Sequence, residues 1–138
     1  MGEDLGVIRA VLAANEAFYA AFREGSMEEM SSVWAEGLPV AVLHPGWKAL
    51  EGRDAVLESW RRILEGAGGL PIQCRGPRAY VLGEVAYVLC TEEVGEGALG
   101  ATNLFAMEEG RWRMVHHQAG PGAGPEVDEE GPESGLLN

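Results

Sequence analysis

Basic charge is scarce in this chain of 138 residues: ten Lys and Arg face 22 Asp and Glu, a formal net charge of −12. Nine of the ten bases are Arg, so there is one lysine, Lys48. An acidic body with no basic stripe repels phosphate backbones, so nucleic acid is not an expected partner. Cysteine is nearly absent: Cys74 and Cys90 stand apart, without metal-site spacing. Two are too few for a small disulfide scaffold, and reduced thiols in a cytoplasmic protein are expected. No apolar run approaches the ~20 residues that span a bilayer. The acidic start, Met1-Gly2-Glu3-Asp4, lacks the charged-then-apolar pattern of a signal peptide. A membrane is therefore not expected as a partner either.

Apolar residues make up 46% of the chain, enough for one buried core at this length. Charge is uneven: residues 121–138 hold five acids and no base, rich in Gly and Pro. That composition has little to bury, so residues 1–120 are expected to form the domain and 121–138 a disordered acidic tail. Residues 4–24 have helical period, with Ile8, Val11, Leu12, Phe18, Tyr19 and Phe22 on one face and Asn15 within the stripe. Gly25 is placed to end that helix. Ser26-Met27-Glu28-Glu29 matches a capping box opening a second helix, broken by Gly37. Leu38–Leu43 reads as a strand ending at His44-Pro45-Gly46. Gly52-Arg53-Asp54 opens a third helix that stops at Gly66–Gly69.

Strands follow, over about 71–82, 85–94, 98–108 and 111–119, with turns at Gly83-Glu84 and Glu109-Gly110. Helices first and an antiparallel meander after them predict an α+β fold. Side chains alternate along strands. With Glu108 opposite Arg111, a regular last hairpin sets Asn103 opposite His116. One face then carries Asn103, Phe105, Met107, Trp112, Met114, His116 and Gln118; the other carries Thr102, Leu104, Ala106, Arg113, Val115 and His117. A slip of one residue exchanges the two histidines.

With the helix–Gly–helix–strand order, Leu50-Glu51-Gly52-Arg53 before a helix, Leu82-Gly83-Glu84-Val85-Ala86 at a hairpin, and Gly110-Arg111-Trp112 followed by Val115-His116, the chain resembles the nuclear transport factor 2-like superfamily. That superfamily includes SnoaL-like proteins, ketosteroid isomerases and scytalone dehydratases. The pattern is most similar to the association domain of calcium/calmodulin-dependent kinase II. The resemblance covers about residues 5–120 and implies three N-terminal helices on a strongly curved, mixed or antiparallel sheet, with a pocket between the first helix and the concave face. It also implies self-association, as a homodimer or larger oligomer through the outer sheet face. Against ketosteroid isomerases, His44-Pro45 falls where Asp-Pro supplies the general base, Asn103 where a protonated Asp donates to an oxyanion, and Phe18 where a Tyr stands. These departures argue against steroid isomerisation. In the kinase association domain the Asn103 position resembles a buried Arg, so the anionic-ligand contact is missing.

The histidines carry the expected chemistry, since imidazole titrates near neutrality. His44 reads as an acid/base at the pocket mouth or as a strand-end histidine, and His116 with Asn103 as a pair that polarises a carbonyl or holds a water. Asn15, Phe18, Tyr19, Trp47, Phe105 and Met114 are the candidate ligand contacts, with core packing as the alternative. The spacing supports no metal site, and no cofactor is expected. Two function classes stand. One is an enzyme acting on a small apolar molecule, with cofactor-independent isomerase, dehydratase or hydrolase chemistry at His44. The other is a non-catalytic ligand-binding or self-association domain.

Overall fold

A computed structural model describes residues 4–67 and 70–122. The chain runs α1 (Leu5–Glu24), α2 (Met27–Val33), β1 (Ala41–Leu43), β2 (Leu50–Glu51), α3 (Arg53–Ala67), β3 (Gln73–Leu82), β4 (Val85–Val94), β5 (Gly97–Glu108) and β6 (Arg111–Pro121). The α+β expectation holds: three helices pack on one six-stranded sheet ordered β2-β1-β6-β5-β4-β3. Only β1 and β6 run parallel, which makes the sheet mixed. Of the segment read as a tail, Pro121 pairs with Leu99 inside the sheet, and residues 123–138 lie outside the described residues.

Asp4 caps α1, its carboxylate accepting from the Gly6 and Val7 amides. Gly25 ends the helix at φ 66°, a left-handed conformation that costs a residue without Cβ little. Ser26 Oγ accepts from the Glu29 amide at 3.0 Å, one half of the capping box. The Ser26 amide instead donates to Ala21 O and closes α1. α2 ends at Val33, before Gly37, because Trp34 turns extended and bridges to Met114 on β6. Arg53 then caps α2 from outside, donating to the carbonyls of Ser31, Trp34 and Ala35 at 2.8–3.0 Å.

β1 is shorter than the Leu38–Leu43 segment, and β2, which sequence reading missed, pairs with it antiparallel. By length and mean hydropathy (1.3) α1 is apolar enough to cross a membrane, which corrects the expectation that no segment is. Its buried residues are Val11, Asn15, Phe18, Tyr19, Ala21 and Phe22, packed in the core beneath the sheet. A core helix meets the same test of composition.

The last hairpin overturns the expected register. Its turn is where the sequence places it, with Glu109 and Gly110 both at positive φ as a two-residue hairpin turn requires. Pairing runs regularly from Glu108↔Arg111 to Phe105↔Met114, then shifts: Leu104 pairs with His116 and Asn103 with His117. Val115 is the extra residue of a β-bulge. His117 therefore shares the inner face with Asn103, and His116 takes the outer face, its Nδ1 2.9 Å from Ala41 O.

Candidate functional site

Beneath the concave face lies a cavity of about 190 Å³ whose polar lining is His44, Glu92 and His117. Its other walls are apolar: Phe22, Pro45, Trp47, Trp60, Ile63, Leu70, Ile72, Val94 and Leu99. A wider, open depression of about 320 Å³ beside Pro39, Val40, Glu51 and Val115 has no histidine on it. Chemistry converges on the smaller cavity.

His44 follows directly after β1, and Pro45-Gly46 turns the chain behind it. Its ring packs edge-on against Trp47 and Trp60, each with centroids 4.8 Å away. Ser59 on α3 donates its hydroxyl to Val56 O at 2.7 Å, so at 2.9 Å it accepts from His44 Nε2. That assigns the proton to Nε2 and leaves Nδ1 with a lone pair. Burial lowers the His44 pKa to about 4, so the ring is neutral at pH 7.

His117 is 2% exposed. Its Nδ1 lies 2.6 Å from Asn103 Oδ1, an acceptor, so Nδ1 carries the proton and Nε2 is the free base. Nε2 faces Glu92 Oε2 at 3.7 Å. Burial, with smaller contributions from His44 and His116, lowers its pKa to about 3. The two imidazoles stand 6.4 Å apart between centroids.

Behind the cavity, Asn103 completes a closed set of hydrogen bonds. Its Nδ2 donates to Asn15 Oδ1 at 2.8 Å and to Tyr19 Oη at 3.1 Å. Tyr19 in turn donates to Glu92 Oε2 at 2.7 Å. Glu92 is 3% exposed, and burial raises its pKa, partly offset by the Tyr19 bond. Burial and the Glu92 charge raise the Tyr19 pKa further, so Tyr19 stays a donor. The Nε1–H of Trp60, buried beside the cavity, has no acceptor among the described residues. Among those residues no three His, Cys, Asp or Glu side chains converge as metal ligands.

Of the residues selected by sequence, His44 and Trp47 line the cavity. Asn15, Tyr19 and Asn103 sit behind it as the hydrogen-bonding layer rather than as lining. Phe18 packs against His117 with centroids 4.9 Å apart, and Phe105 and Met114 lie in the core. The place expected for His116 belongs to His117. Sequence reading missed Glu92, although a signal was present: Ala86, Val88, Cys90 and Glu92 alternate on one face of β4, and all four are buried. A carboxylate ending an apolar inner face is the mark of a buried acid.

The family model for the SnoaL-like domain matches residues 11–123. A proposed dehydratase of the nuclear transport factor 2-like family from Streptomyces avermitilis superposes with a TM-score of 0.79 at 30% identity, covering 86% of this chain and 98% of that one. A proposed calcium/calmodulin-dependent protein kinase type II association domain from Thiobacillus denitrificans gives 0.73 at 33% identity, over 80% and 94%. The F-box protein SKIP8 of Arabidopsis thaliana is 27% identical over 113 residues, 80% of this chain and 49% of that protein. The chain thus spans about half the length of that curated relative.

Proposed function

The chain belongs to the SnoaL-like family, and we propose that it binds a small, mainly apolar molecule in this cavity and performs acid/base chemistry on it in the cytoplasm, without a cofactor. The observation that carries the proposal is the convergence of His44, Glu92 and His117, from three separate stretches of chain, on one apolar cavity. Two neutral imidazoles each hold a lone pair, and a carboxyl group of raised pKa stands beside one of them. Groups whose environments separate their pKa values are suited to opposite roles. His44 Nδ1 or His117 Nε2 and the Glu92 carboxyl group exchange protons with the carbon next to a carbonyl and with a departing hydroxyl or a neighbouring carbon. Trp60 Nε1–H is a donor for the carbonyl oxygen. Water elimination and proton-shift isomerisation both follow from this arrangement, and the similarity to the Streptomyces dehydratase supports the former.

A second feature supports self-association. Tyr80, Leu82 and Val85 are exposed on the outer sheet face, where Tyr80 stacks on Tyr87 at 5.0 Å. With the similarity to an association domain, this favours a homodimer through that face. On the non-catalytic reading, assembly of this kind is the whole function.

The test is deuterium incorporation next to the carbonyl of small cyclic ketones in heavy water, followed by NMR, with water loss from the matching β-hydroxy ketones. Glu92→Gln and His44→Ala are each expected to lower the rate by roughly 10²–10⁴-fold, the usual contribution of a positioned acid or base. Exchange no faster than in buffer across the series, from a protein that native mass spectrometry shows assembled and empty, rejects the enzyme in favour of the association domain.

A further inference from the structure

Cys74 and Cys90, far apart in sequence, meet in the fold. Cys74 lies on β3 opposite Glu92, and Cys90 stands two residues before Glu92 on β4, so the thiols are diagonal neighbours on the inner face. Both are free; Cys90 is buried and Cys74 half-buried. They are close enough that each shifts the other's titration. Each also touches the polar layer behind the cavity. Asn15 Nδ2 donates to Cys74 Sγ at 3.5 Å, and Tyr19 Oη lies 3.3 Å from Cys90 Sγ.

We propose that Cys74 and Cys90 are a modification site: a dithiol that peroxides convert reversibly to an intramolecular disulfide, acting on the site through Asn15 and Tyr19. One thiolate attacks the peroxide O–O bond and takes a hydroxyl as a sulfenic acid, while the other oxygen leaves as water. The second thiol displaces that hydroxyl as a second water and the S–S bond forms; two thiols are oxidised and one peroxide is reduced.

Geometry makes this a switch rather than a permanent staple. Diagonal cross-strand Cα atoms ordinarily stand ~7–8 Å apart, and a disulfide needs about 4.4–6.8 Å. The β-bulge between Arg75 and Arg78 sets Gly76 and Pro77 against Cys90, with no direct pairing partner there. A bulge bends its strand and increases the local twist, the deformation that closing the bond calls on. A bond closed against such resistance is readily reduced. Closing it takes the sulfurs away from Asn15 and Tyr19, which position Asn103 and Glu92. The disulfide itself does not depend on the proposed function; its effect on turnover does.

The experiment is titration of the full-length protein with hydrogen peroxide, read by intact mass under denaturing conditions and by non-reducing peptide mapping. The expected result is a monomer lighter by two hydrogens, a Cys74–Cys90 cross-linked peptide, and full reversal by dithiothreitol. Cys74→Ser and Cys90→Ser are each expected to lose the cross-link and gain oxygen on the remaining sulfur. Oxygen addition to the unsubstituted protein without a cross-link, or a bond only between chains, overturns the proposal. Ketone exchange measured on the same oxidised samples separates the two readings. A disulfide that leaves an active protein's rate unchanged removes the coupling to the site, and one formed in an inactive protein removes only the enzyme reading.

Discussion

The two faces of β3, β4, β5 and β6 are built from alternate residues of the same strands, yet they obey different rules. On the inner face, Glu92, Asn103 and His117 are almost wholly buried, and they are joined to one another directly or through Tyr19. On the outer face, Tyr80, Leu82 and Val85 stand exposed, and the Arg75–Glu93 ion pair at 2.8 Å is open to solvent. His116 and His117 make the contrast at its sharpest. Adjacent in sequence, one rests its ring against the backbone carbonyl of Ala41, and the other is a desolvated ring that resists protonation. Water supplies missing partners on the outside; inside, each polar group depends on a particular neighbour.

The largest effect is expected where that dependence is densest. Asn103→Leu nearly preserves volume but strands His117 Nδ1–H and Asn15 Oδ1 in the core. Each buried group left unpaired costs about 1–3 kcal/mol, so a loss of about 3 kcal/mol is expected. On the outer face, Thr102→Val should change stability by less than about 1 kcal/mol. Urea unfolding measures both, as a shift in midpoint at constant slope. Equal losses for the two would refute the division between faces.

Next in size is a response to acid. His44 and His117 have folded-state pKa values of about 4 and about 3, against an ordinary 6.5. As pH falls below 6.5 the unfolded chain takes up protons that the folded chain refuses, so stability declines. The slope reaches about 1.4 kcal/mol per pH unit for each histidine. Glu92 acts the other way: its pKa is raised by folding, so the folded chain binds that proton more readily and gains as pH falls through it. Two histidines outweigh one carboxyl, and a net fall between neutrality and about pH 5 is expected. His44→Gln removes one of the histidine contributions. A profile as steep in that variant as in the parent would show that His44 is not protonated on unfolding alone.

Much of the fold was legible because its signals are local. The apolar stripe of α1, the Gly25 stop, the Ser26 cap and the Glu109-Gly110 turn each depend on residues a few positions apart. The site was legible only in part. His44 could be placed because Pro45-Gly46 marks the end of its strand. The choice between His116 and His117 rests on a bulge at Val115, a residue with ordinary strand propensity and no glycine beside it to mark the irregularity. Such a bulge is set by the packing of β6 against β1 and β5, so no nearby residue announces it. Cys74 and Cys90, likewise, meet only through strand pairing across a second bulge.

The smallest stability change is expected on the outer face, where it carries the most information about assembly. Leu82 is 65% exposed and Tyr80 41%, so Leu82→Ser and Tyr80→Ser remove little that is buried within one chain. Monomer stability should move by no more than about 0.5 kcal/mol. If a second copy covers this face, the same substitutions desolvate a serine against it and withdraw an aromatic anchor, and aromatic anchors dominate interface energies. Sedimentation equilibrium of the double variant is then expected to show subunits dissociating at concentrations where the parent is assembled. The cavity lies on the opposite side of the sheet, so ketone exchange per folded chain should persist in the dissociated protein. An unchanged assembly state would move the interface elsewhere, and exchange lost together with assembly would mean that the inner and outer faces are coupled.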